Sequence, residues 1–369
     1  MQSPSQQIVP LQSYGVNPTR TASITGDLEG HLLPSSQLVY NPALDGTRAV
    51  AVITVIAFHC RVPGFSGGMI GVDVFFVLSG YLITSILRSE LSTTGDISLR
   101  RFYYKRMLRL WPPLILFLLA CGLSFPYVFP EANPALETIL PLLYLSDYSV
   151  AFWREPLINS HTWSLSVEEH FYLIWPLLLL ITRRLPTMIL IRCLFGLFVA
   201  GSLWRIIDGL IWEDWFRTYF RFDTRFTGLV AGSIIALNTW KPSEEKIVKI
   251  LIASTYTLLL LLLILRVRNI DSVIWGGIVA DIAASGLIFS LTSGVPTGIS
   301  KTLSHPVLVY IGTISYSVYL WHYPIAKYVR DDMTPITAFL VSATLSIAIA
   351  AVSYWLMEKK LKRLRHRST

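Results

Sequence analysis

HTWSLSVEEHFYLIWPLLLLITRR, residues 161–184, decides the fold. From Leu165 to Thr182 it is apolar and long enough for one tilted crossing of a bilayer whose hydrocarbon core is about 30 Å thick. It then stops on Arg183 and Arg184. Paired arginines after such a run mark a cytoplasmic end. Apolar segments of similar length recur at 47–63, 69–88, 111–129, 187–207, 223–239, 249–265, 272–293, 307–326 and 335–357. The stretch 138–152 is ambiguous, being short and carrying Pro141 and Asp147. If it crossed, Arg183 and Arg184 would face outward and every later loop would invert. Ten spans with both ends inside place nineteen Lys and Arg inside and ten outside, leaving Arg20 and Arg48 uncounted. That is the bias the positive-inside rule requires.

The expected fold is therefore an all-α polytopic membrane protein, with about ten transmembrane helices in one bundle and both termini cytoplasmic. Residues 130–164 become an outer loop with a re-entrant turn packed on protein. Residues 1–40, rich in Gln, Ser, Pro and Gly, read as a disordered or weakly ordered cytoplasmic tail. Residues 358–369 read as a basic cytoplasmic tail.

Composition agrees. Of 369 residues 53% are hydrophobic and only 15% charged, against about 25% in soluble domains. A water-soluble enzyme is excluded by that shortage of polar surface. The net charge of +8 sits in short blocks between apolar runs, so it reads as membrane topology and not as nucleic-acid binding. Cys60, Cys121 and Cys193 lack the spacing of a disulfide framework or a zinc site.

Ionisable groups in apolar spans are costly and mark functional candidates. In LDGTRAVAVITVIAFHC (44–60), Arg48 and His59 are eleven residues apart. A helix brings them within about 20° of one face and about 16 Å apart along its axis. Arg48 then lies near the inner surface and His59 in the outer half. They form a functional pair, or Arg48 snorkels to headgroups while His59 bonds a neighbouring helix.

In GVDVFFVLSGYLI (71–83), Asp73 either supports His59 across the hairpin or caps the helix start, and Gly80 permits close helix packing. In RRFYYKRMLRLWPP (100–113), Arg106 and Arg109 share a helix face, extended by Arg101 and Lys105. Their forks suit phosphate. The competing account is inside-positive anchoring, with Trp111 as interface belt and Pro112–Pro113 opening a helix.

Within residues 161–176, Glu168 and Glu169 are flanked by His161 and His170. A carboxylate reaching His59 would orient its ring and stabilise its protonated form; the alternative is a solvated interfacial cluster. A zinc site on His161 and His170 is not expected, because nine residues separate them onto different helical faces. In SYSVYLWHYP (315–324), Tyr316, Tyr319, Trp321 and Tyr323 either stack on sugar rings or form an interface belt, and His322 is a secondary candidate.

Taken together, LDGTRAVAVITVIAFH with Arg-x10-His, GVDVFFVLSGYLI, FYYKRMLRLWP with Arg-x-x-Arg, HTWSLSVEEHFYLIWP and SYSVYLWHYP resemble the acyltransferase-3 family of polytopic membrane acyltransferases. The likeness makes 41–357 an acyltransferase-3 membrane domain. It implies O-acyl transfer, with acetyl the expected group, from cytoplasmic acyl-CoA to a hydroxyl of an extracytoplasmic glycan or glycolipid. Surface polysaccharide, O-antigen and lipochitin oligosaccharide are the expected acceptor classes. Acetyl-CoA is then a co-substrate, with no bound cofactor or metal, and the location is the inner (cytoplasmic) membrane.

In family terms His59 matches the essential histidine, Arg48 its paired basic residue, and Arg106 and Arg109 the donor-binding pair. Glu168 matches the motif carboxylate, with Asp73, Glu169 and His322 as supporting groups. Trp163, Tyr172 and Trp321 are the expected acceptor contacts. Some family members append a soluble SGNH-type esterase domain; this chain ends just after its last span, and is expected to complete transfer alone or with a partner. A transporter or flippase of a glycan or small solute is the competing class. It predicts Gly/Pro-broken spans in matching halves, a pattern not seen here.

Overall fold

The structure is a computed structural model that describes residues 40–359. The expected tails therefore lie almost wholly outside the described residues. In chain order the helices are Pro42–His59 (α1), Ile70–Thr94 (α2), Leu99–Val128 (α3), Pro134–Leu142 (α4) and Ser146–Trp153 (α5). Next come Trp163–Thr182 (α6), Thr187–Trp212 (α7), Trp215–Phe220 (α8), Phe222–Arg225 (α9) and Thr227–Leu237 (α10). Glu244–Ile264 (α11), Ile270–Thr292 (α12), Gly298–Leu303 (α13), Pro306–Thr313 (α14), Ser315–Val329 (α15) and Pro335–Ser353 (α16) complete the order. Among the described residues there is no strand.

Local sequence starts these helices. Asn41 accepts a hydrogen bond from the Ala43 N–H and is followed by Pro42; Asn133 with Pro134 and Thr334 with Pro335 repeat the device. A side-chain acceptor satisfies an orphan donor while proline presets the first turn.

Seven helices are long and apolar enough to cross a membrane: Ile70–Thr94, Leu99–Val128, Ser160–Thr182, Thr187–Trp212, Glu244–Ile264, Ile270–Thr292 and Pro335–Met357. The other three expected spans are helical but differ in kind. The first carries Asp45 and Arg48 within 18 residues, α10 has only 11 residues, and 307–326 is broken at Ile314 into α14 and α15. The block at 100–113 also departs from expectation: α3 opens at Leu99, with Pro112 and Pro113 inside it. Arg106 and Arg109 therefore extend the same rod that enters the bilayer.

The ambiguous stretch 138–152 is not one helix. It divides between α4 and α5 at Tyr144, whose φ is 54°. Behind it, the buried Glu137 carboxylate accepts three backbone N–H bonds, from Leu157 (2.6 Å), Ile158 (2.8 Å) and Asn159 (2.7 Å). Burial lifts the pKa of this group, and the three donors pull it back.

Helix α2 stands at the centre of the bundle, with 78% of its apolar window buried, against 22% for α7 and for α11. Gly80 is what lets α10 reach it. A Cβ on Gly80 would sit 1.9 Å from the Leu229 carbonyl oxygen, so only glycine admits that backbone. Thr84 then donates to Ser233 across the same contact (2.9 Å) and receives the Trp175 indole N–H (2.8 Å).

Buried charge on this side is paired. Arg225 donates to Asp73 at 2.8 Å, and Arg205 pairs with Asp281 at 3.2 Å. Arg221 and Arg217 share Asp208 at 2.9 and 3.1 Å. The packing thus brings Asp73 an arginine. It neither meets His59 nor accepts a capping bond, since the start of α2 has no side-chain cap.

Candidate active site

Two polar regions meet in the bundle. The first is a chamber of about 840 Å³. It is lined by Asp45 and Arg48 of α1, Arg106 and Arg109 of α3, Ser79 of α2, and Glu168 and Tyr172 of α6. Ser164, Tyr316 and Tyr319 line it as well. Arg48 pairs with Asp45 at 3.1 Å. The Arg106 guanidinium lies 5.0 Å from the centre of the Tyr172 ring. Three arginines against two carboxylates leave a positive chamber in a low-dielectric setting, which favours an anionic guest.

Glu168 belongs to this chamber. Its carboxylate accepts from the Ser79 hydroxyl (2.6 Å) and the Tyr172 phenol (3.2 Å). The expected contact with His59 is not made. Spacing on α6 puts Glu168 on the face shared with Tyr172, four residues on, which looks into the chamber. Tyr172, an expected acceptor contact, accordingly sits on Arg106. Glu169 has one carboxylate oxygen buried without a hydrogen-bond partner among the described residues.

The second region is a histidine cluster beyond Tyr319. His59, the last residue of α1, places Nδ1 at 2.9 Å from Nε2 of His322 on α15. His322 Nδ1 lies 2.6 Å from the Tyr319 carbonyl oxygen, and the His322 ring is completely buried. The Tyr323 ring meets His59 edge-on at 4.6 Å. Arg330 donates to the His59 carbonyl oxygen at 3.3 Å.

Pro324 shapes this corner. It lacks an N–H, so the Leu320 carbonyl one turn earlier loses its helical donor. His161 Nε2 fills the gap at 3.0 Å. His170 is elsewhere, 3.3 Å from Asp147, so the two flanking histidines have separate structural partners.

Tyr319 separates the regions. Its hydroxyl donates to the His161 carbonyl oxygen (2.9 Å) and receives the Ser164 hydroxyl (2.7 Å). Trp163, expected at the acceptor, is 4% exposed and packed among Phe76, Tyr219 and Phe220, with Arg225 5.7 Å from its ring centre. Trp321 is half-buried, edge-on to Phe117 at 5.3 Å. Tyr319 as partition, Arg330 and the direct bond between the two histidines were not foreseen. His59 and His322 are 263 residues apart, and no local pattern records that contact.

An all-helical bundle with this chamber and histidine pair belongs to the acyltransferase domain family (acyltransferase-3), which the chain matches over residues 41–358. Among curated proteins it is similar to the O-acetyltransferase OatA of Staphylococcus aureus strain NCTC 8325, 35% identical over 350 residues covering 88% of this chain. OatA of strain COL matches to the same extent. The chain spans 57% of the length of these relatives. No solved structure matches.

Proposed function

We propose that the protein is a membrane O-acyltransferase that moves an acetyl group from acetyl-CoA on the cytoplasmic side to a hydroxyl of an extracytoplasmic glycan or glycolipid. The observation that carries this reading is the arrangement of the site. A positive chamber is lined by Arg48, Arg106, Arg109 and Tyr319, and the backbone of Tyr319 touches the histidine pair. Family membership and the O-acetyltransferase relatives support the same class.

In this reading ten helical segments span the inner membrane with both termini cytoplasmic, as the distribution of Lys and Arg requires. Arg48, Arg106 and Arg109 hold the donor's phosphates. The pantetheine arm runs along the chamber and brings the thioester to the Tyr319 end. An acceptor hydroxyl arrives from the opposite side, with Trp321 as a stacking surface. The His59 Nε2 lone pair takes the hydroxyl proton, and the oxygen attacks the thioester carbonyl. The C–O bond forms, the C–S bond breaks, and the leaving thiolate recovers the proton as free CoA. Glu168 acts on the donor side, holding Ser79 and Tyr172 in place beside the arginines.

The test uses the full chain in lipid nanodiscs with acetyl-CoA and a delipidated envelope glycan extract of the producing cells, following thiol release and alkali-labile acetate on the glycan. The wild-type chain should release both in equal amounts. His59→Ala should fall at least about 100-fold with unchanged thermal unfolding. Undiminished transfer by a folded His59→Ala protein would sink the proposal, as would absence of transfer by the wild type.

A further inference from the structure

We propose that His322 is the positioning residue that holds His59 in its reactive tautomer, with Nδ1 protonated and Nε2 bare. This deepens the reading above and rests on it.

A carbonyl oxygen only accepts, so the 2.6 Å contact with Tyr319 O requires the proton on His322 Nδ1. A neutral imidazole then carries a lone pair at Nε2. A second proton would charge a ring that is completely buried and whose two partners are a carbonyl and another imidazole. The lone pair at His322 Nε2 faces His59 Nδ1 at 2.9 Å, so His59 must supply the hydrogen. The remaining nitrogen of His59, Nε2, is therefore unprotonated.

The chain of bonds runs from a fixed point, the Tyr319 carbonyl in the backbone of α15, through two rings to the reacting nitrogen. Left alone, a neutral imidazole favours the opposite tautomer, with the proton on Nε2, which cannot accept a proton from an alcohol there. The role expected of Glu168 is in this way filled by a histidine. When His59 Nε2 takes up the acceptor's proton, its Nδ1–H remains bonded to His322 Nε2, so the ring keeps its aim through the step.

Near the pair stand His161 from the turn before α6, Tyr323 from α15 and Arg330 just beyond it. None bonds the His59 ring nitrogens: His161 is committed to Leu320, and Arg330 to the His59 backbone.

The test compares His322→Ala with His322→Gln in the nanodisc assay, reading kcat and the KM for acetyl-CoA separately. Gln places an acceptor oxygen close to where Nε2 lies. His322→Ala should lower kcat about 100-fold to 10,000-fold, the range in which a misdirected catalytic base falls. The KM for acetyl-CoA should stay within about twofold, because the arginine chamber is untouched. His322→Gln should recover at least about tenfold of the loss, and thermal unfolding of both variants should match the wild type.

Three results would overturn the inference: wild-type kcat in His322→Ala, a Gln variant no better than Ala, or a change confined to KM. Absence of transfer by the wild-type chain would remove the functional reading itself, and this inference with it.

Discussion

Glu168 and His59, expected to form one catalytic pair, have separate partners. The carboxylate is bonded to Ser79 and Tyr172 in the arginine chamber, while the imidazole leans on His322 beyond Tyr319. Their separation makes a prediction about which kinetic constant each controls. Glu168→Gln should raise the KM for acetyl-CoA several-fold and leave the pattern of His322 variants unchanged, measured by initial rates over a range of donor concentrations. A variant that instead reproduced the pure kcat loss of His322→Ala would put Glu168 back beside the base.

Arg48, His59, Asp73, Arg106, Arg109, Glu168 and Glu169 were singled out from the cost of charge in an apolar run, whereas Arg205, Arg225 and Asp281, buried in such runs too, were not. The partners of these groups were not readable. Asp73 meets Arg225 across 152 residues of chain, and a spacing rule reaches only the next turn of one helix.

Among the helices, α2 and α10 show most directly how sequence sets packing. Val77, Gly80 and Tyr81 of α2 face Leu229 and Gly232 of α10 at backbone-contact distance, and a Cβ on Gly232 would lie 2.0 Å from the Val77 carbonyl oxygen. In lipid, where apolar burial gives no preference for protein over solvent, such close approach is a principal source of association. Gly80→Ala should therefore push α10 outward and cost about 1–3 kcal/mol, read as a lower midpoint in thermal unfolding of the nanodisc protein. A midpoint equal to the wild type would show that the contact is looser than described.

Gly80 was legible as a packing glycine because a small residue in an apolar run has few other uses. The break at Ile314 and the shortness of α10 were not, since hydropathy measures how apolar a run is and not whether its helix continues. The same blindness left open a helix start at Pro112–Pro113, although the shared face of Arg106 and Arg109 already implied helix there. A paired proline usually opens a helix, but in a membrane bundle neighbouring groups can satisfy the carbonyls it frees.

For the bundle entire, the buried ion pairs joining α2, α7, α9 and α12 are the costliest feature. Arg205 and Arg225 approach within 2.6 and 3.1 Å of where a Cβ on Gly277 would stand, so α12 is thinned to admit both guanidinium groups. Removing one partner of a buried pair strands the other charge, at about 3–5 kcal/mol, whereas replacing both with apolar groups is far milder. Asp73→Leu alone should lower the unfolding midpoint more than the double variant Asp73→Leu with Arg225→Leu. Equal losses would mean that the pair is solvated.

The charge count that set the topology treated Arg205, Arg221 and Arg225 as outer-loop residues; they are buried among helices instead. The bias toward the other side survives because the basic blocks there are much larger.

Tyr319 has a further consequence. A cell stores energy as a proton gradient across its lipid, and any continuous wet route through a protein would drain it. Here one phenol ring, 5% exposed and tied to Ser164 and His161, stands where the arginine chamber meets the histidine pair. A ring so tied narrows any wet route between the arginine chamber and the histidine pair.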